Sequence, residues 1–133
     1  MAERYFDRDE VEQLIPALTR AMDTVRASHI EAQSARERQR KEEQRITMSG
    51  GGMIDRAAWK AGTARLQTLT AAIQQALQEI ADMGGAPKDL ELGLVDFLHL
   101  RDGREVNLCW KYGEREIRFW HGLDEGYTAR KPL

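Results

Sequence analysis

The sequence predicts an α+β fold, a long antiparallel helical hairpin packed on a three-stranded antiparallel β-meander. Three observations carry this. Residues 11–32 place apolar side chains at alternating steps of four and three, the spacing of a helix lying along a partner helix. Residues 59–80 repeat that spacing after a Gly-rich break. Residues 94–121 then change to an alternation of period two, interrupted by turn signals. At 133 residues the chain is expected to form a single domain, with the hairpin over about 7–83 and the small sheet with its tail over about 86–133.

The first helix has a readable start. Asp7 can cap it, Glu10 stands where a capping box needs it, and Phe6 can staple onto Val11. Val11, Ile15, Leu18, Met22, Val25, His29 and Ala32 form the seam, widened by Leu14 and Ala21. Pro16 removes one backbone bond and should bend the helix. His29 reads as a core-edge histidine rather than a switch. Past Ala32 the seam becomes Arg36, Gln39, Glu43 and Ile46, so RERQRKEEQR reads as a solvated, mixed-charge helical arm.

TMSGGGM at 47–53 is a flexible turn, because consecutive glycines are costly in a helix. It lacks the Lys-Ser/Thr of a phosphate-binding loop and follows a helix rather than a strand. The second helix, from about Asp55 to Met83, carries the seam Trp59, Gly62, Leu66, Leu69, Ile73, Ala76 and Ile80, and stops at Gly84-Gly85. A turn near residue 50 puts Val25 beside Ala76, His29 beside Ile73, Arg36 beside Leu66 and Gln39 beside Gly62. The base of such a hairpin has enough apolar surface to cover a sheet. The tip does not, and Trp59 and Leu66 are the candidate contacts through which it would pair with a second copy.

After an expected irregular connector, APKDLELG, the strands are 94–101, 104–111 and 114–121. Asp102-Gly103 signals a type I′ hairpin, and Tyr112-Gly113 a second tight turn. Two-residue loops would align Asp96–Cys109–Glu116, Leu98–Asn107–Arg118 and Leu100–Glu105–Trp120 on one face. The other face gathers Val95, Phe97, His99, Val106, Leu108, Trp110, Ile117, Phe119 and His121 and should be covered by the helices. The candidate binding surface is therefore Asp96, Cys109, Glu116, Arg118 and Trp120. The tail GLDEGYTARKPL, anchored by Tyr127, should wrap a sheet edge.

Chemistry is hard to build from this arrangement. Cys109 falls on the face opposite His99 and His121, so the three could not share an ion, and there is no CxxC, HExxH or EF-hand spacing. No metal and no cofactor are expected. A thiol between Asp96 and Glu116 is also a poor nucleophile, since neighbouring carboxylates raise its pKa. The expectation leans away from an enzyme.

Charge narrows the partners. The 20 Lys/Arg and 22 Asp/Glu nearly cancel, overall and segment by segment, which argues against nucleic acid. MAERYFDRDEVEQL lacks the layout of a signal peptide, the apolar runs are too short to cross a bilayer, and one Cys fits a reducing compartment. The expectation is a cytoplasmic protein with no membrane or nucleic-acid partner, a non-enzymatic interaction or assembly module that forms a homodimer through its arms. The competing expectation is a small-molecule-binding protein or enzyme using the polar sheet face.

GLVDF at 93–97, LCW at 108–110, Gly113-Glu114, WH at 120–121 and Gly126 with Arg130 resemble the C-terminal signature of a bacterial family, domain of unknown function 2203. The opening YF, the acidic helix start and the LIP step at 14–16 are similar to it too, while 33–66 has no match and Leu98 departs from the usual Pro. The resemblance implies no activity or cofactor. It marks Asp96, Cys109, Trp110, Glu114, Trp120 and His121 as motif positions.

Overall fold

Asp7 opens the first helix as its sequence suggests. Its carboxylate accepts from the Glu10 backbone N–H at 2.7 Å while Glu10 Oε1 accepts from Asp7 N–H at 3.2 Å, a complete capping box. A computed structural model describes residues 4–50 and 55–133. Helix α1 spans Arg8–Met48 and runs on through Pro16, whose ring lies on the exposed side. Helix α2 spans Arg56–Met83 and ends on Gly84 in the left-handed conformation. Gly51, Gly52 and Met53 of the expected flexible turn lie outside the described residues. Among those residues, no helix is long and apolar enough to cross a membrane.

The hairpin pairs as its seams require. Gln39 Nε2 donates to Thr63 Oγ1 at 3.3 Å, and a Cβ on Gly62 would stand 3.1 Å from the Gln39 amide. Arg65 grips Glu31 through two contacts, one of 2.8 Å. Val11, Ile15, Leu18, Met22, Val25 and Ala32 are all buried, and Ala35 extends the stripe where Arg36 was expected. In α2 only Leu69, Ala76 and Ile80 are buried.

The sheet has five antiparallel strands in sequential order, not three. They are β1 (Ala86–Asp89), β2 (Leu94–Arg101), β3 (Arg104–Lys111), β4 (Phe119–Gly122) and β5 (Lys131–Pro132). The supposed connector supplies β1, where Pro87 is tolerated because the strand is short and at the edge. The tail supplies β5 at the other edge, pairing Lys131 with Trp120. Phe6 N–H donates to Leu98 O at 2.7 Å, and His99 Nδ1 bonds Phe6 O at 2.6 Å, so the start of the chain covers the part of β2 that β1 leaves open.

The first hairpin has the expected register, with Asp96 opposite Cys109, Leu98 opposite Asn107 and Leu100 opposite Glu105. Asp102 and Gly103 both have positive φ, the type I′ geometry. The second register is corrected. Asn107 lies opposite His121 rather than Arg118, and Cys109 opposite Phe119 rather than Glu116. The cause is Glu114. Its N–H donates to Lys111 O at 2.9 Å, its side chain accepts from Lys111 N–H at 2.7 Å, and its carbonyl accepts the Trp110 indole N–H at 3.0 Å. Glu114 is thus committed to the turn and does not start a strand. Ile117 then dips into the core, fully buried, before β4 begins at Phe119.

Helices and sheet enclose one apolar core, in which Phe6, Leu18, Met22, Ile80, Val95, Phe97, Leu108, Trp110 and Ile117 are buried. Gly84 is fixed there twice over: its φ is 100°, and a Cβ would fall 2.2 Å from Phe6 Cζ.

Candidate functional site

The slipped register is odd, so it exchanges the two faces of β4. His121 joins Asp96 and Cys109 on the face away from the helices, and Trp120, opposite Leu108, packs against the core. The expectation that Cys109 lies across the sheet from His121 is therefore overturned. So is the pairing of Trp120 with Leu100 and Glu105. Ligand atoms of Asp96, Cys109 and His121 all lie within 4.8 Å of one another. Three neighbouring strands each contribute one.

This cluster is not a solvated surface. Asp96, Cys109 and His121 are exposed by only 4%, 1% and 2%. The tail lies over this face. Lys111 Nζ donates to the Tyr127 hydroxyl at 3.4 Å, and the Arg130 guanidinium sits 4.0 Å above the Phe119 ring. Arg130 also pairs with Glu114 at 2.7 Å and is itself nearly buried. The turn that sets the register and the tail that covers the cluster are thereby tied together.

The internal geometry is well defined. His121 Nδ1 lies 2.8 Å from Gly122 O, and its Nε2 lies 3.1 Å from the Asp96 carboxylate. The Cys109 sulfur lies within 4.8 Å of the same carboxylate and of the imidazole. Burial pushes that thiol up to about 12; the Asp96 charge adds to the rise and Arg130 opposes it. Such a thiol is protonated at neutral pH and screened from solvent, which makes it inert as a nucleophile.

The remaining candidate residues scatter. Glu116 and Arg118 sit exposed on the loop between β3 and β4 and pair with each other at 2.9 Å. Trp120 is half-buried between Arg101 and Lys131, each 4.8 Å from its ring centroid, and its Nε1 has no hydrogen-bond partner among the described residues. It borders an open groove with Arg104, Glu105 and Glu125. Trp59 and Leu66 are half-buried on the arm, far along the hairpin from the sheet. The five-residue surface proposed from the sequence thus separates into a buried pair, an exposed ion pair and a groove-lining Trp.

Reasoning from alternation missed Glu114, Arg130 and the true side of His121. Alternation is the same for both parities, so it could not have found them. The motif resemblance held the signal, since Glu114, His121 and Arg130 belong to the matched positions.

No curated protein and no solved structure matches the chain. A family model does, over residues 4–133, and it includes the helical arm that the motifs alone left unmatched. The chain belongs to the family described as uncharacterized conserved protein, DUF2203.

Proposed function

We propose that this protein is a non-enzymatic interaction module that assembles with a second copy of itself through its helical arms. The observation that carries the reading is the change in burial along the hairpin. Buried side chains stop at Ala35 in α1 and at Leu69 in α2, while both helices continue for several turns beyond. A two-helix segment without a core of its own gains little from packing. A second copy would supply what is missing.

The arm offers a place for it. A cleft of about 270 Å³ sets Trp59 beside the small Ala35, Ala58 and Gly62, within a charged rim that includes Arg38 and Glu42. Trp is the residue type most often found at the energetic centre of an interface. Arm charges pair within a helix, Glu37 with Arg40 and Glu42 with Arg45, so neither sign accumulates to repel an identical surface. Against catalysis stands the Cys109 thiol, held neutral and out of solvent. The competing reading, a ligand on the polar sheet face, has lost Asp96 and Cys109 from any exposed surface.

Sedimentation equilibrium tests the proposal. Wild-type protein should be dimeric, and Trp59→Ala and Leu66→Ala should each move it toward monomer with the helical circular dichroism retained. A wild-type monomer at high protein concentration overturns it.

A further inference from the structure

We propose that Asp96, Cys109 and His121 form a binding site for a zinc-class divalent transition-metal ion, set into the sheet beneath the C-terminal tail. The proposal stands on different residues from the arm reading and on a separate observation.

Gly122 O, 2.8 Å from His121 Nδ1, is only an acceptor, so Nδ1 carries the hydrogen. In the neutral ring Nε2 is then a lone pair. It faces Asp96, 3.1 Å from each carboxylate oxygen, and those oxygens are acceptors too. A shared hydrogen joins this buried pair when the site is empty, and a divalent cation can take its place between the same two atoms. A backbone carbonyl that orients a histidine in this way is the usual outer-shell arrangement around a metal-binding imidazole.

Cys109 completes the donor set. Its sulfur lies within 4.8 Å of both other ligand atoms, and the three donors come from three adjacent, paired strands. Bonds of about 2.0–2.1 Å to N and O and about 2.3 Å to S place tetrahedral ligand atoms roughly 3.3–3.6 Å apart. The His121–Asp96 spacing is close to this already, and the cysteine sulfur, within 4.8 Å of both, moves in on loading. A nitrogen, an oxygen and a sulfur suit zinc and exclude the hard ions magnesium and calcium. A thiolate and a carboxylate balance a divalent charge, so the loaded site is electrically neutral within its buried surroundings. Loading releases the Cys109 proton to solvent. Water, which keeps that neutrality, fills the fourth position. The site then joins β2, β3 and β4, and Glu114 fixes the register of the last two.

The test uses untagged full-length protein, reduced and stripped with a chelator, then titrated with cobalt(II). The expected result is an intense near-ultraviolet thiolate-to-cobalt band with visible bands of a four-coordinate ion, saturating at one equivalent and bleached by zinc. Cys109→Ser should abolish the charge-transfer band. Asp96→Asn and His121→Gln should weaken cobalt binding beyond the roughly 10–100-fold that loss of an outer-shell partner costs. The wild-type titration is decisive even if a variant fails to fold. Absence of the thiolate band in folded wild-type protein overturns the site, and so does a band that survives in Cys109→Ser.

Discussion

The sheet end and the arm tip are built from the same two helices and differ in nearly every other respect. At the sheet end each helix meets a second layer. Leu18, Met22, Val25 and Ile80 are sealed against Val95, Phe97 and Trp110, and side-chain packing holds the structure. At the tip, among the described residues, the helices meet each other across a glycine, a glutamine and a Glu31–Arg65 pair. One long helix therefore passes from a region stabilised by burial to one that relies on propensity and surface charge. Stability should fall along α1 in the same direction.

The largest expected effect breaks the well-packed end. Trp110→Ala empties a fully buried site and orphans the Glu114 carbonyl, and should cost about 3–5 kcal/mol in urea unfolding. The matched truncation at the tip, Leu66→Ala, should cost less than about 2 kcal/mol, because that side chain is only half-buried. Equal losses would mean that the contrast is wrong.

Gly84→Ala comes next. It imposes a left-handed alanine, about 1–2 kcal/mol, and drives a methyl into Phe6, for which overpacking adds about 1–3 kcal/mol. The loss should appear as a lower midpoint with an unchanged denaturant slope. Removing the cap with Asp7→Ala should cost about 1 kcal/mol, detectable because that end of α1 folds cooperatively with the sheet.

A pH scan gives a more local signal, confined to one buried group. In metal-free protein the Cys109 thiol is raised from 9.0 to about 12. Between those values the unfolded chain has lost this proton and the folded protein has kept it, so stability falls as pH rises. The contribution is fully present below about pH 9 and is lost by about pH 12. Cys109→Ala should remove this part of the alkaline decline. Smallest of all is the exposed Glu31–Arg65 pair, whose double-mutant coupling should vanish in high salt.

The same contrast explains what the sequence made legible. Both helices, their antiparallel pairing and the first hairpin could be read because seams of Val11, Ile15 and Leu18 and a turn of Asp102-Gly103 are local signals. Strand β1 was hidden by Pro87, which usually argues against a strand and is permitted only at an edge. The second turn was hidden by Glu114, whose backbone and side chain are consumed within the turn by Trp110 and Lys111. Nothing local distinguishes that use of a glutamate from the first residue of a strand. The error was a shift in register, yet because it was odd it transferred His121 from one face to the other and concealed the Asp96–Cys109–His121 cluster.

Phe6 carries a kinetic consequence. Its carbonyl bonds His99, 93 residues away in the chain, and its ring rests on the end of α2 at Gly84. Neither partner is local, so this junction can close only after the hairpin and β2 have come together. A contact that forms after the rate-limiting step stabilises the native state without hastening its formation. Phe6→Ala should leave the folding rate nearly unchanged and accelerate unfolding. The residue just ahead of the first helix would then act as a latch on the finished protein, governing how long a folded molecule stays folded.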